Sequence, residues 1–202
     1  MANEKILTGV KHIYFTPWVN NEGAESLDTN KRFELNNVIA DTVAISQDDP
    51  ETNTIDCETR DEPIIEATTL GNYNITMDSA DIALDILVNC LGYSKEGSDI
   101  AYAPTAYTPQ YAMIEVEMSS DKFIAPRLQM NAKLDASSLK TGVAKGTISG
   151  SARSATISVG SNSFDTPFFV ADKKYTPATP GSGEVQFSVS KLNDNTGSGS
   201  GA

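Results

Sequence analysis

Histidine, cysteine and tryptophan are nearly missing from this chain: of 202 residues one is His, two are Cys and one is Trp. The single His12 stands beside Lys11 in an extended stretch with no second His and no Cys-x-x-Cys, so no zinc site can be assembled and a structural or surface role is expected. Cys57 lies in an acidic stretch and Cys90 in an apolar one; nothing asks them to pair, and both read as reduced thiols. A Gly-Lys-Ser/Thr phosphate loop is lacking. The runs nearest to Gly-x-Ser-x-Gly, at 146–150 and 197–201, lie in a β-rich stretch and in the last residues, where no nucleophile elbow forms. Asp48-Asp49-Pro50-Glu51 lacks the ligand spacing of a calcium loop. These absences exclude a recognisable catalytic constellation, so no enzyme activity, no metal and no cofactor is expected.

Long apolar runs are lacking too. None approaches the roughly eighteen residues of a membrane span, and the first residues carry no apolar core behind a basic start. The expectation is a chain made and kept soluble in a cytoplasm, without a membrane partner. Basic surplus is also missing: the net charge is −12. Residues 41–100 hold fourteen carboxylates against two cations, Arg60 and Lys95, while the remainder is balanced at thirteen of each sign. An acidic middle section argues against clamping nucleic acid tightly, because phosphate binding draws on basic surface. Solubility alone accounts for such a face equally well.

What is present is a β pattern around one helix. Residues 77–92 have a helix start at Asp78 or Ser79, a body in which Asp81, Asp85 and Asn89 form one polar stripe, and a stop at Gly92. Ile82, Leu84, Ile86, Leu87, Val88 and Leu91 fill the remaining surface. This helix is expected to be covered on most sides, by an intramolecular groove or by a neighbouring subunit.

Before it come a strand over 5–19 ended by Pro17, a polar loop over 20–31, an extended region over 32–46, a turn at 47–50 and a short strand over 54–59. Residues 64–69 and 72–77 then read as a hairpin turning at Leu70-Gly71. After the helix, 93–110 is a long loop bearing Tyr93, Tyr102 and Tyr107, of a length that usually has a function or a partner. The second half is β throughout. Ile114, Val116 and Met118 alternate with Glu115 and Glu117, and Leu128, Met130, Ala132 and Leu134 alternate with Arg127, Gln129, Asn131 and Lys133, giving one dry and one wet face. Small residues over 143–159 permit close backbone approach. Strands are expected at 164–170 and 184–192, with Val185, Phe187 and Val189 inward. The division is one β domain over 1–192 and a flexible Gly/Ser-rich tail over 193–202.

This order, with Gly71-Asn72-Tyr73-Asn74-Ile75-Thr76 running into Ser79-Ala80-Asp81 and the helix, resembles the major tail tube proteins of tailed bacteriophages. Residues 123–130 and 145–152 are similar to that family's later strands. The resemblance implies a β-sandwich or barrel of tail-tube type with long loops. It implies six copies closing into a ring, rings stacking into a tube in the virion tail, DNA passing through the lumen, and tail-tip and tail-terminator proteins as partners. On that reading Glu115, Glu117, Arg127, Gln129, Asn131 and Lys133 line the lumen, the apolar helix meets the next subunit, and Asp48, Asp49, Glu51, Tyr102 and Tyr107 sit in candidate inter-ring loops. The alternatives are another virion or injection-system protein, such as a connector or decoration, a monomeric ligand-binding β-barrel, and a surface adhesin, which the missing leader disfavours.

Overall fold

The computed structural model describes residues 5–6, 9–21, 24–55, 65–69, 71–97, 100–103, 108–135, 145–172, 174–177 and 186–191. The expected class holds: the chain is mainly β with one short helix, and its antiparallel sheet curls into a half-barrel. In chain order the strands are β1 (Lys5–Ile6), β2 (His12–Asn21), β3 (Ala24–Leu27), β4 (Phe33–Glu34), β5 (Ala44–Gln47), β6 (Glu51–Ile55), β7 (Ile65–Thr69) and β8 (Tyr73–Ser79). Helix α1 (Leu84–Cys90) follows, then β9 (Ser94–Glu96), β10 (Ile100–Tyr102), β11 (Gln110–Glu117), β12 (Asp121–Asp135) and β13 (Lys145–Arg153). Last come β14 (Ala155–Val159), β15 (Asn162–Thr166), β16 (Phe169–Asp172), β17 (Thr176–Pro177) and β18 (Gln186–Lys191). Neighbours run β1-β5-β8-β13-β12-β11-β2 and, through β2, on to β3-β18-β14-β15.

Strand β11 is where the two layers meet. Ala112, Ile114 and Val116 face one core with Ile13, Phe15, Ile75, Met77, Leu128 and Ile148, closed by Ile86 and Cys90 of α1. Met113 faces a second core with Ile124, Ile157 and Phe187, contributed in part by β14 and β18. A register shift against β12 between Ala112 and Ile114 re-aims the side chains. The strand is therefore buried on both faces, which simple alternation does not anticipate.

Two prolines sit inside strands at places where a strand changes partner. Pro17 was expected to end the first strand, yet it is buried mid-strand, at the point where β4 gives way to β3 beside β2. Pro126 lies where β16 gives way to β13 beside β12. At such points the missing N–H costs no ladder bond. The Trp18 indole N–H donates to the Pro126 carbonyl at 2.9 Å and ties the two points together.

The helix is shorter than expected. β8 runs through Ser79, so α1 starts after Ala83 with no side-chain cap, and Ser79 Oγ instead donates to the Asn36 and Asp81 carbonyls. Gly92 does supply the left-handed stop, at φ 76°. Residues 64–69 and 72–77 do not form a hairpin with each other. β7 pairs with β6, and β8 pairs with β5 and β13. Ala44↔Thr76 and Ile55↔Ile65 belong to one register, so β5–β6 and β7–β8 form a single antiparallel arm broken at a bend. Gly71 is at that bend because a Cβ there would stand 1.9 Å from the Asp48 carbonyl oxygen.

Several loops also differ. The 20–31 stretch contains β3, paired with β2; 32–46 is mostly irregular, with left-handed Asn37 and Asp41; and 93–110 contains the β9–β10 hairpin. Within the 143–159 stretch, the strands Lys145–Arg153 and Ala155–Val159 pair with different neighbours on either side of Ser154, and the close approach is real: a Cβ on Gly150 would lie 2.6 Å from the Gln129 carbonyl oxygen. Tyr107, Cys57, Val185 and the tail lie outside the described residues. Replacing Gly71 by Ala forces the bend apart and lowers the unfolding free energy by about 2 kcal/mol, as overpacking does; urea titration of Gly71→Ala against the parent checks this.

Candidate functional site

The chemistry-bearing side chains gather in two places: a polar sheet face across β5, β8, β13 and β12, and an ion cluster over β2 and β11. The face follows from the register. Ser46, Asn74, Ser151 and Gln129 form one cross-strand row, and Thr76, Ser149 and Asn131 form the next, while Ile45, Ile75, Gly150 and Ile148 point to the core side. Thr147 Oγ1 donates to Asp78 at 2.7 Å, and Arg153 donates to Gln129 Oε1 at 2.9 and 3.3 Å. The face is reached by water and is mostly uncharged.

Of the six residues expected on an open wet face, Gln129 and Asn131 stand on it. Arg127 is nearly covered: it donates to Glu25 at 2.6 Å and stacks over Tyr111 with 4.0 Å to the ring centre. Lys191 approaches the same Glu25 oxygen at 3.6 Å. The ladder pairs Lys133 with Thr147, and its side chain is outside the description.

Glu115 departs most from expectation, because it is fully buried. Arg32 Nε and Nη2 donate to its two oxygens at 2.8 and 3.1 Å, and Lys122 Nζ lies 3.6 Å from Oε2. Lys122 is itself buried, stands 3.8 Å from Glu117 Oε2, and donates to the Tyr175 carbonyl at 3.4 Å. The Arg32 guanidinium covers the Tyr14 ring at 3.6 Å. Burial, followed by Glu34, pushes the Tyr14 hydroxyl above its usual pKa. His12 is exposed, 2.6 Å from Glu34 and stacked on Tyr14, in the surface role expected of it. Arg32 and Glu25 escape sequence reasoning because their partners are remote: Arg32 and Glu115 are 83 residues apart, and Arg127 and Glu25 are 102 apart. Lys122 is near its partners in sequence, across the β11–β12 turn, and is missed because alternation does not show that this side is covered.

On α1 only Ile86 and Cys90 are buried. Leu84 is 37% exposed, and Ile82, Leu87, Val88 and Leu91 are half-covered, so the helix is less enclosed than its composition implies. Of the polar stripe read as Asp81, Asp85 and Asn89, Asp81 is exposed but precedes the helix, Asp85 is exposed on it, and Asn89 is half-buried. Beside α1, β10 exposes Ile100 (58%) and Tyr102 (50%). Asp48, Asp49 and Glu51 are exposed at the bend of the arm. Cys90 is a free, buried thiol whose pKa burial pushes up to about 12, against a small opposing pull from Lys31.

Among the described residues no three His, Cys, Asp or Glu side chains converge as metal ligands. No family model and no curated protein sequence matches the chain.

Two outcomes follow. Glu115→Ala takes from Arg32 its two bonds and from buried Lys122 its nearer carboxylate, leaving Lys122 only Glu117 and the Tyr175 carbonyl, and lowers stability by about 3 kcal/mol, read by chemical denaturation. The Cys90 thiol has a higher pKa folded than unfolded, so its contribution is whole below about pH 9 and is lost as pH rises toward about 12. Denaturation at pH 8 and pH 10.5 should therefore show a steeper loss for the parent than for Cys90→Ala.

Proposed function

We propose that this chain is a structural virion protein that self-assembles into hexameric rings stacked as a phage tail tube, through which DNA passes to the host. The observation that carries the reading is the one-sided sheet: a broad, mostly uncharged polar face over four strands, backed by a packed core, in a sheet that already curls. Copies placed edge to edge extend such a face into a closed, wetted wall. Ser, Thr, Asn and Gln give that wall hydration, and of its arginines Arg127 is paired with Glu25 and Arg153 is bonded to Gln129. Burial of Glu115 removes it from such a wall.

The exposed apolar side chains Leu84, Ile100 and Tyr102 are the subunit-contact candidates, and the Asp48–Asp49–Glu51 bend is the candidate for contact between rings. Tail-tip and tail-terminator proteins would cap the two ends of the stack, and the mature location would be the virion tail. The dry face that a ligand-binding barrel would hollow out is filled by Phe15, Met77, Leu128 and α1, which favours assembly over that alternative.

Light scattering after gel filtration over a hundredfold concentration range, with negative-stain imaging of the heaviest fraction, tests the reading. Rings or hollow filaments support it; a strict monomer, also in the presence of a tail-tip template, overturns it. The paired change Ile100→Asp with Tyr102→Ser should raise the concentration needed for assembly at least about tenfold, the equivalent of about 1.4 kcal/mol, while leaving the circular dichroism spectrum unchanged.

A further inference from the structure

The outer edge of β2 is covered in an unusual way. From Trp18 onward β3 pairs with it, but from His12 to Pro17 the cover is the segment from Asp28 to Leu35, of which two residues, Phe33 and Glu34, are strand. Main-chain bonds hold this segment: the Asp28 amide donates to the Pro17 carbonyl at 2.9 Å, the Leu35 amide to the Ile13 carbonyl at 2.8 Å, and Phe33 pairs with Phe15 in the ladder between them. Phe33 packs against the main core, and the remaining side-chain ties are charged. Arg32 grips Glu115 through two bonds and lies on Tyr14, and Glu34 meets His12 at 2.6 Å. Leu35 is buried in the core and anchors the end of the segment.

An edge closed this way differs from one closed by a full strand. Main-chain groups of an uncovered edge invite pairing with another chain, and a covering loop is one means of preventing it.

We propose that the Asp28–Leu35 segment is a charge-latched strap that keeps the β2 edge from a second copy of this chain, and that its release opens the edge to strand β15 of that copy. β15 is the outermost strand of the path. Among the described residues its outer edge has no partner, and its sequence, Asn-Ser-Phe-Asp-Thr, carries no lysine, proline or bulge to guard it. Phe164 is 43% exposed there, and Asp165 would approach a stretch bearing Lys11 and His12. Pairing β2 of one copy with β15 of the next is head-to-tail, and such contacts build rings or filaments. This inference rests on the self-assembly reading and names the surfaces it uses.

Tyr14 and Glu34 stand directly opposite each other in the ladder. Tyr14→Cys with Glu34→Cys, in a Cys57→Ser background, places a reversible cross-link across the strap. The oxidised protein is expected to stay a monomer under conditions where the same sample, once reduced, assembles. Equal assembly of both forms, alongside an assembling parent, overturns the strap while leaving the self-assembly reading intact. If neither the reduced form nor the parent assembles, the reading and the inference fall together.

Arg32→Gln supplies a second readout. Exchange of the Phe15 and Phe33 amides should quicken at least tenfold with the Ile114 amide unchanged, and assembly should begin at lower concentration. Unchanged exchange at Phe15 and Phe33 overturns the latch. If Ile114 exchange rises as well, Arg32→Lys, which keeps the charge and loses the paired bonds, decides the matter: intermediate exchange at Phe33 supports the latch, and parental exchange overturns it.

Discussion

The carboxylate of Glu115 sits where no water reaches it, and the organisation around β11 depends on its being answered there. A buried carboxylate without partners is too costly to keep. Arg32 arrives from the strap before β5 and Lys122 from β12, so the ion cluster fixes three separate parts of the chain at one point. Lys122 reaches further, to the Tyr175 carbonyl, and so ties in the approach to β17. The same strand carries Ile114 and Val116 into one core and Met113 into the other. Charge and apolar packing thus meet on a single strand, and each restricts where the other can go.

Much of the β character was legible because alternation is a local property. The dry positions Ile114, Val116, Leu128 and Met130 are all buried, and the small residues near Gly150 do mark a close approach. What alternation cannot state is how many layers a strand touches. Glu115 occupies a polar position in the pattern, yet that side is covered, and Arg32 from a distant segment with Lys122 from the adjoining strand makes its burial tolerable. Pro17 misleads for a related reason: a proline ends a strand where an N–H is needed, and none is needed where neighbouring strands change over. The helix start was misplaced because Asp78 and Ser79 are competent caps in isolation, whereas pairing of β8 with β13 extends the strand through them. Ser79 then spends its hydroxyl on the Asn36 and Asp81 carbonyls. The 64–77 hairpin failed because Gly71 marks a contact with Asp48 and not a reversal. Strand pairing over longer separations set the true register.

The placement of polar and apolar groups bears on assembly in one consistent direction. The subunit encloses its own core, leaves a wetted sheet face over four strands, and exposes a few large apolar side chains on α1 and β10. With a net charge of −12, like-charge repulsion opposes association, so the proposed contacts between copies would have to draw on apolar burial and main-chain pairing. Such contacts are short-ranged and orientation-dependent, which suits a closed and repeated arrangement better than random association.

In the proposed tube the polar face lines the lumen, and its direction there can be read chemically. Asn131 is exposed on that face. With an Asn131→Cys variant in a Cys57→Ser background, labelling of assembled particles by a small maleimide and by one carrying a bulky polymer compares access from a narrow lumen with access from the outside. The account predicts labelling by the small reagent and protection from the bulky one, with protection lost when the particles are dissociated. Equal labelling by both reagents on intact particles would place the face outside and contradict it.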